Sequence, residues 1–123
     1  LTFNSMNTTL KNISDDKKVA VIQVGYQLLV SAKQCLLDES DEPSVELILK
    51  YCGFDDSPLG KFIGNTFWNK SIYYNPYEAF SIVSGFSISE KAAVKEMLKD
   101  LANMDNQFLR RDIARQLFNR LGL

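Results

Sequence analysis

A chain of 123 residues with a net charge of −1 has the size of one domain and can bury a hydrophobic core without disulfides or a metal. The near-neutral charge gives no overall field to attract nucleic acid, and the lack of histidine excludes Ser-His and Cys-His catalytic relays and removes most zinc ligands. Two cysteines do not make a disulfide framework in a domain of this size, so we expect Cys35 and Cys52 to be small buried thiols.

The N-terminal part of the chain predicts a loose tail followed by a central helix. Residues 1–13 are polar and rich in Asn and Thr, which is typical of a flexible tail, and we expect residues 14–123 to form a single domain. Ser14 offers an N-cap ahead of two acids. The apolar residues from Lys17 to Leu37 cover most of a helical circumference, which indicates a helix enclosed by its neighbours.

Prolines mark the starts of the next helices. Each of the three prolines stands where a first helical turn tolerates its missing N–H group. They predict helices over Pro43–Cys52, Pro58–Trp68 and Pro76–Ser84. An aromatic connector, which includes Trp68, Tyr73 and Tyr74, lies before the third of these helices.

The C-terminal part predicts two more helices. Ser87 and Glu90 have the spacing of a capping box, and a stripe of apolar residues follows them. The last helix carries apolar residues at successive i+4 steps: Leu109, Ile113, Leu117 and Leu121. The sequence therefore predicts an all-α fold, a compact bundle of six or seven helices with no convincing strand.

No apolar stretch is long enough to be a transmembrane segment. The longest uninterrupted apolar run, Val19–Ile22, is far shorter than a bilayer requires. No signal-peptide pattern is visible either. We therefore expect a cytoplasmic protein.

Acidic residues recur with the same spacing at two breaks between helices. Asp105 precedes Asp112 by seven positions, and Glu39 precedes Glu46 by the same interval. Seven residues of continuous helix rise about 10 Å, so two such acids could share a cation only if the first lies on a bend and folds back beside the second. Oxygen ligands without histidine would favour Ca²⁺, Mg²⁺ or Mn²⁺ over zinc.

A simpler interpretation of these acids stays open. The acids near the first break would be solvated residues that interact favourably with a helix dipole. Asp105 and Asp112 would pair with nearby arginines: Arg110, Arg111 or Arg115.

The aromatic connector also has two interpretations. If Trp68, Tyr73 and Tyr74 are exposed, they form a surface for a protein partner, because such residues dominate binding hot spots. A homodimer is one assembly that would use such a surface. If they are internal, they cap the core of the bundle.

Four short stretches in the C-terminal half carry a resemblance to the TerB-like family, which is named for a tellurite-resistance protein. They are Asn75–Phe80, Ser87–Lys91, Leu98–Asp105 and Arg120–Leu123. The helix pair predicted from Val19 to Leu49 is similar to the first half of the family, so the resemblance covers residues 17–123.

The resemblance implies an all-helical domain with pseudo-twofold character, no known catalytic reaction and no required cofactor. It also implies, in some members, a divalent-cation site built from acids at two helix elbows, which here correspond to Asp105, Asp112, Glu39 and Glu46. The family elbow usually contains Asp-Gly and a later Glu, whereas this chain has Asn106 for the Gly and Asp112 for the Glu.

Two functions follow as hypotheses. The first is a non-catalytic interaction or scaffold domain, related to stress or metal physiology by resemblance. The second is a divalent-cation sensor that uses the acidic elbows.

Overall fold

The regular elements of the computed structural model, which describes residues 7–35, 37–54, 76–104 and 108–123, are all helical. The five α-helices in these ranges are α1 (Asp15–Lys33), α2 (Glu42–Tyr51), α3 (Pro76–Ser84), α4 (Ile88–Asn103) and α5 (Phe108–Leu121). Short 3-10 turns, Thr9–Lys11 and Glu39–Asp41, precede α1 and α2. The all-α prediction is confirmed. The count is five in these ranges rather than six or seven, and the helix predicted over Pro58–Trp68 lies outside them.

The helix starts depend on side-chain caps. Ser14 Oγ accepts a hydrogen bond from the backbone N–H of Lys17 at the start of α1. At the start of α4, Ser87 Oγ accepts from the Glu90 N–H at 3.2 Å, and Glu90 Oε1 accepts from the Ser87 N–H at 3.0 Å. These bonds satisfy N–H groups that have no partner within the helix, so the predicted cap and capping box are confirmed.

Helix α1 lies at the centre of the fold and contacts each of the other four helices. Its Val21, Val24 and Leu28 side chains are fully buried, as are Met97 and Leu98 of α4. Burial on several sides of α1 agrees with the apolar circumference in the sequence.

Helices α1 and α2 approach each other closely at Gly25. A Cβ atom at this position would lie 2.8 Å from Cδ1 of Ile48, which is closer than packed carbon atoms approach. Glycine therefore permits the contact between the two helices.

The two cysteines have different environments. Cys52 is buried, as predicted, and burial raises the pKa of its thiol to about 12. Cys35 is exposed, so the prediction that it is buried is wrong. Helix α1 ends at Lys33, and the left-handed Gln34 (φ 60°) then turns the chain, which leaves Cys35 beyond the last packed turn.

None of the helices in the described ranges is both long and apolar enough to cross a membrane.

Candidate functional site

The starts of α2 and α5, which belong to the first and the second predicted elbow, meet at one end of the bundle. Asp41 Oδ1, at the start of α2, lies 4.0 Å from Nη2 of Arg110 in α5. The Arg110 guanidinium also donates through Nη1 to the Leu101 carbonyl of α4 at 3.0 Å. Asp41 and Arg110 are only 6 % and 4 % exposed. The arginine therefore connects the ends of three helices from a buried position.

A denser set of polar contacts surrounds Asp41 at the first elbow. Its Oδ2 accepts from the Asp38 N–H at 2.9 Å and lies 2.6 Å from Lys33 Nζ. Lys33 Nζ also lies 2.9 Å from Asp38 Oδ2. Asp38 Oδ1 in turn accepts from the backbone N–H and the hydroxyl of Ser40. Both acids act as reciprocal caps of the turn that leads into α2.

These contacts change the acid-base properties of the first elbow. Hydrogen bonds from Ser40 and from Lys33 lower the pKa of Asp38 to about 2. The contacts with Asp41 and Asp38 raise the pKa of Lys33. At neutral pH the elbow therefore contains a charged Lys33 in contact with an ionised Asp38.

Three of the four predicted metal ligands lie in the described ranges, and they do not form one cluster there. Glu39 and Glu46 are exposed, and neither has an ion pair within the described ranges. Asp112 lies 3.4 Å from Nη1 of Arg115, which agrees with the simpler interpretation of that acid. No group of three or more acidic or cysteine side chains there is close enough to hold a metal. The fourth residue, Asp105, lies outside these ranges.

The predicted partner surface, which consists of Trp68, Tyr73 and Tyr74, lies outside the described residues.

A different apolar surface is present at the second elbow, and sequence reasoning missed it. Met104, Phe108 and Leu109 are exposed, and Phe108 is 79 % exposed. We call these three residues the apolar patch. The sequence pattern placed Leu109 on the buried stripe of the last helix, but Arg110 occupies that side instead.

The buried stripe of α5 begins one residue later than the stripe predicted from the sequence. It consists of Arg110, Ala114, Leu117 and Leu121, which also follow helical spacing. Ala114 lies one turn after Arg110. Because alanine is small, its position in the sequence indicates that this side of the helix packs closely. A buried arginine at the head of the stripe was not expected, because arginine is rarely buried without a partner.

Exposed charges lie beside the apolar patch and the first elbow. Arg111 and Arg115 are exposed on α5, and Glu42 is exposed at the start of α2. Within the described ranges neither Arg111 nor Glu42 forms an ion pair. This end of the bundle therefore combines exposed apolar side chains with charges of both signs that have no ion pair among the described residues.

A second polar cluster surrounds the buried Tyr51 at the edge of the bundle, where Glu96 is half-buried and Asp100 is exposed. The buried Tyr51 hydroxyl donates to the Asp100 carboxylate, and Glu96 Oε1 lies 3.5 Å from the same hydroxyl oxygen. Asn7 Nδ2 lies 3.5 Å from Glu96 Oε2. Burial, and then the adjacent carboxylates, raise the pKa of Tyr51. The cluster joins α2, α4 and the N-terminal segment through a tyrosine that stays protonated at neutral pH.

Comparison of the chain with models of known families, with curated proteins and with solved structures gave no match.

Proposed function

We propose that this chain is a non-catalytic, TerB-like helical domain that binds another protein through the end of the bundle where the elbows meet. The observation that carries the proposal is the exposure of Phe108 two residues before the buried Arg110. Exposed apolar residues grouped in one place mark binding surfaces, and aromatic side chains are enriched among the residues that contribute most to binding.

Arg110 holds the backbone beneath the apolar patch in place, which makes the patch suitable for binding. Arg110 contacts the Leu101 carbonyl and lies near Asp41, so the first turn of α5 is attached to two other elements. Burial of one Phe side chain at an interface stabilises a complex by about 1.5–3 kcal/mol. Less of this gain is lost to conformational entropy when the backbone that carries the side chain is already ordered.

The charged groups of the site support binding rather than acid-base chemistry. Asp38 and Asp41 contact Lys33, and Asp112 contacts Arg115. Asp38 in particular is a poor general base, since its hydrogen bonds stabilise its charged form and lower its pKa. The role in stress or metal physiology is proposed from the family resemblance.

Divalent-cation sensing is the second candidate function. The observation that favours it is the meeting of the two elbows through Asp41 and Arg110, since a shared site requires both elbows at one end. Glu39 and Glu46 would supply oxygen ligands together with Asp112 and Asp105.

Site-specific photo-crosslinking tests the binding proposal. The photoreactive amino acid p-benzoylphenylalanine would replace Phe108 in one sample and Tyr77 in another, in the full chain and in cells that naturally make it. Tyr77 is a matched aromatic control, because it is 71 % exposed on α3 and its ring lies 5.5 Å from Arg120 near the far end of α5. We expect a discrete light-dependent protein adduct from position 108 and none from position 77. The absence of an adduct at 108 would overturn the proposal.

A further inference from the structure

We infer that the partner at this surface is a second copy of the chain. Two copies would associate through the elbow end as a symmetric dimer, with Phe108 and Leu109 at the centre and the acidic residues of each copy facing the arginines of the other. This inference rests on the proposed function and identifies the binding partner.

An acidic stripe forms one half of the surface. Glu42 and Glu46 are four residues apart in α2 and lie on one face of that helix, and Glu39 lies in the 3-10 turn that leads into it. All three are exposed, and none has an ion pair within the described ranges. Such a row of free carboxylates attracts a cationic surface.

A basic and aromatic stripe forms the other half. Phe108, Arg111 and Arg115 have the same three-and-four spacing along α5 and are all exposed. Among the described residues Arg111 has no ion pair, and the one ion pair of Arg115 is with Asp112 at 3.4 Å, with 73 % of the Arg115 side chain exposed. Arginine and aromatic side chains together are enriched at the energetic centres of protein interfaces.

The two stripes begin toward the same end of the molecule, at the starts of α2 and α5. Glu42 directly follows Asp41, and Arg111 directly follows Arg110, while Asp41 and Arg110 lie 4.0 Å apart. In a two-fold symmetric dimer each surface faces its own copy, so a surface that carries an acidic stripe and a basic stripe is able to pair with itself. The near-zero net charge of the chain adds little repulsion between copies.

A small apolar centre with a charged border predicts a weak and salt-sensitive dimer. Sedimentation velocity of the full chain over a range of concentrations, at about 50 mM and about 500 mM salt, measures the association and its screening. We expect a reversible dimer that weakens at the higher salt. A chain that stays monomeric at every concentration would overturn the inference.

Point substitutions locate the interface. Phe108→Asp should weaken the dimer at least about tenfold, because it places a charge where an aromatic anchor was buried. Ile88→Asp is the matched control, since Ile88 is 90 % exposed but lies at the opposite end of α4 from the elbow. The same loss from both substitutions would contradict the assigned surface.

A charge exchange separates a specific contact from damage to the fold. Glu42→Arg and Arg111→Glu should each weaken self-association, because each places like charges opposite each other. An equimolar mixture of the two variants should restore a dimer, since each substituted residue then faces its opposite. Failure of the mixture to associate would overturn the symmetric arrangement.

The crosslinking experiment distinguishes this inference from the proposed function. An adduct at position 108 with twice the mass of the chain supports the dimer. An adduct with a different protein, together with a monomer in sedimentation, would overturn the dimer and leave the binding function supported.

Discussion

Asp41 and Arg110 are a buried pair that joins the starts of α2 and α5, with 4.0 Å between the carboxylate Oδ1 and the guanidinium Nη2. The distance is long for a hydrogen bond, and the shorter bond of Arg110 is the one to the Leu101 carbonyl at 3.0 Å. The arginine therefore acts both as a hydrogen-bond donor to a helix end and as a buried charge near an acid.

Replacement of Arg110 tests this role. Arg110→Met should lower the free energy of unfolding by about 2–4 kcal/mol, because the Leu101 carbonyl loses its donor and Asp41 loses a nearby positive charge. Arg111→Met is the matched control and should change it by less than about 0.5 kcal/mol, since Arg111 is exposed. Urea denaturation at low protein concentration measures both. An equal loss of unfolding free energy in both variants would show that the buried contacts of Arg110 do not stabilise the fold.

Acid should destabilise the fold through the first elbow. The folded pKa of Asp38 is about 2, below the value near 3.9 expected in the unfolded chain, so the unfolded state binds the proton first as the pH falls. The contribution of Asp38 is therefore complete above about pH 4 and is lost toward about pH 2. Urea midpoints over this interval should fall more steeply for the native chain than for Asp38→Asn. Glu39→Gln changes the neighbouring residue and should leave the fall of the urea midpoint with pH as steep as in the native chain. An equally steep fall in Asp38→Asn would show that Asp38 is not the source of the acid sensitivity.

Alkali should destabilise the fold through Tyr51. Its pKa is raised by burial and by the hydrogen bond to Asp100, whereas a tyrosine in the unfolded chain ionises near pH 10. The unfolded state therefore releases the proton first, and stability falls as the pH rises above about 10. Tyr51→Phe should cost about 1 kcal/mol at neutral pH and flatten this alkaline decline. Tyr77→Phe, at an exposed position, should leave the decline unchanged.

The contact between α1 and α2 should not tolerate a methyl group at Gly25. Gly25→Ala gains about 1 kcal/mol in helix propensity but forces Ile48 to move, at a cost of about 1–3 kcal/mol, so we expect a net loss. In that background Ile48→Val should cost less than it does in the native chain, because it removes the Cδ1 atom that lies 2.8 Å from the new Cβ position. A double-mutant cycle measures the difference. Additive effects would exclude this contact as the cause.

Divalent cations should not shift the thermal midpoint. Asp38 and Asp41 contact Lys33, and Asp112 contacts Arg115, so a cation would have to displace these partners to use those three acids. Glu39 and Glu46, which have no ion pair in the described ranges, would be left to bind it from exposed positions in water. Melts with EDTA and then with Ca²⁺, Mg²⁺ or Mn²⁺ measure the effect, because an ion that binds the folded state raises the midpoint. A rise that disappears in Glu39→Gln or Glu46→Gln would favour the cation-sensing function instead.

The starts of α1 and α4 could be predicted from the sequence because the contacts that define them are local. Ser14 caps an N–H group three residues away, and Ser87 and Glu90 bond each other over the same interval. The central position of α1 could also be predicted, since an apolar circumference leaves no side of a helix for water.

The elbows could be predicted only in part. Their acids were visible in the sequence, but the interactions that bury Asp41 involve Lys33 and Arg110, which belong to different helices. Spacing along one helix does not identify a partner on another.

The sequence by itself determined the helical class and the start of each capped helix, because hydrogen bonds and periodicity within a few residues decide them. Only the tertiary structure decided which side of α5 is buried, since Leu109 and Arg110 both begin a stripe that continues through Leu117 and Leu121. The choice depended on the Leu101 carbonyl and Asp41, two acceptors that the fold brings to Arg110. With Arg110 buried, Phe108 and Leu109 are left in water at the end of the bundle.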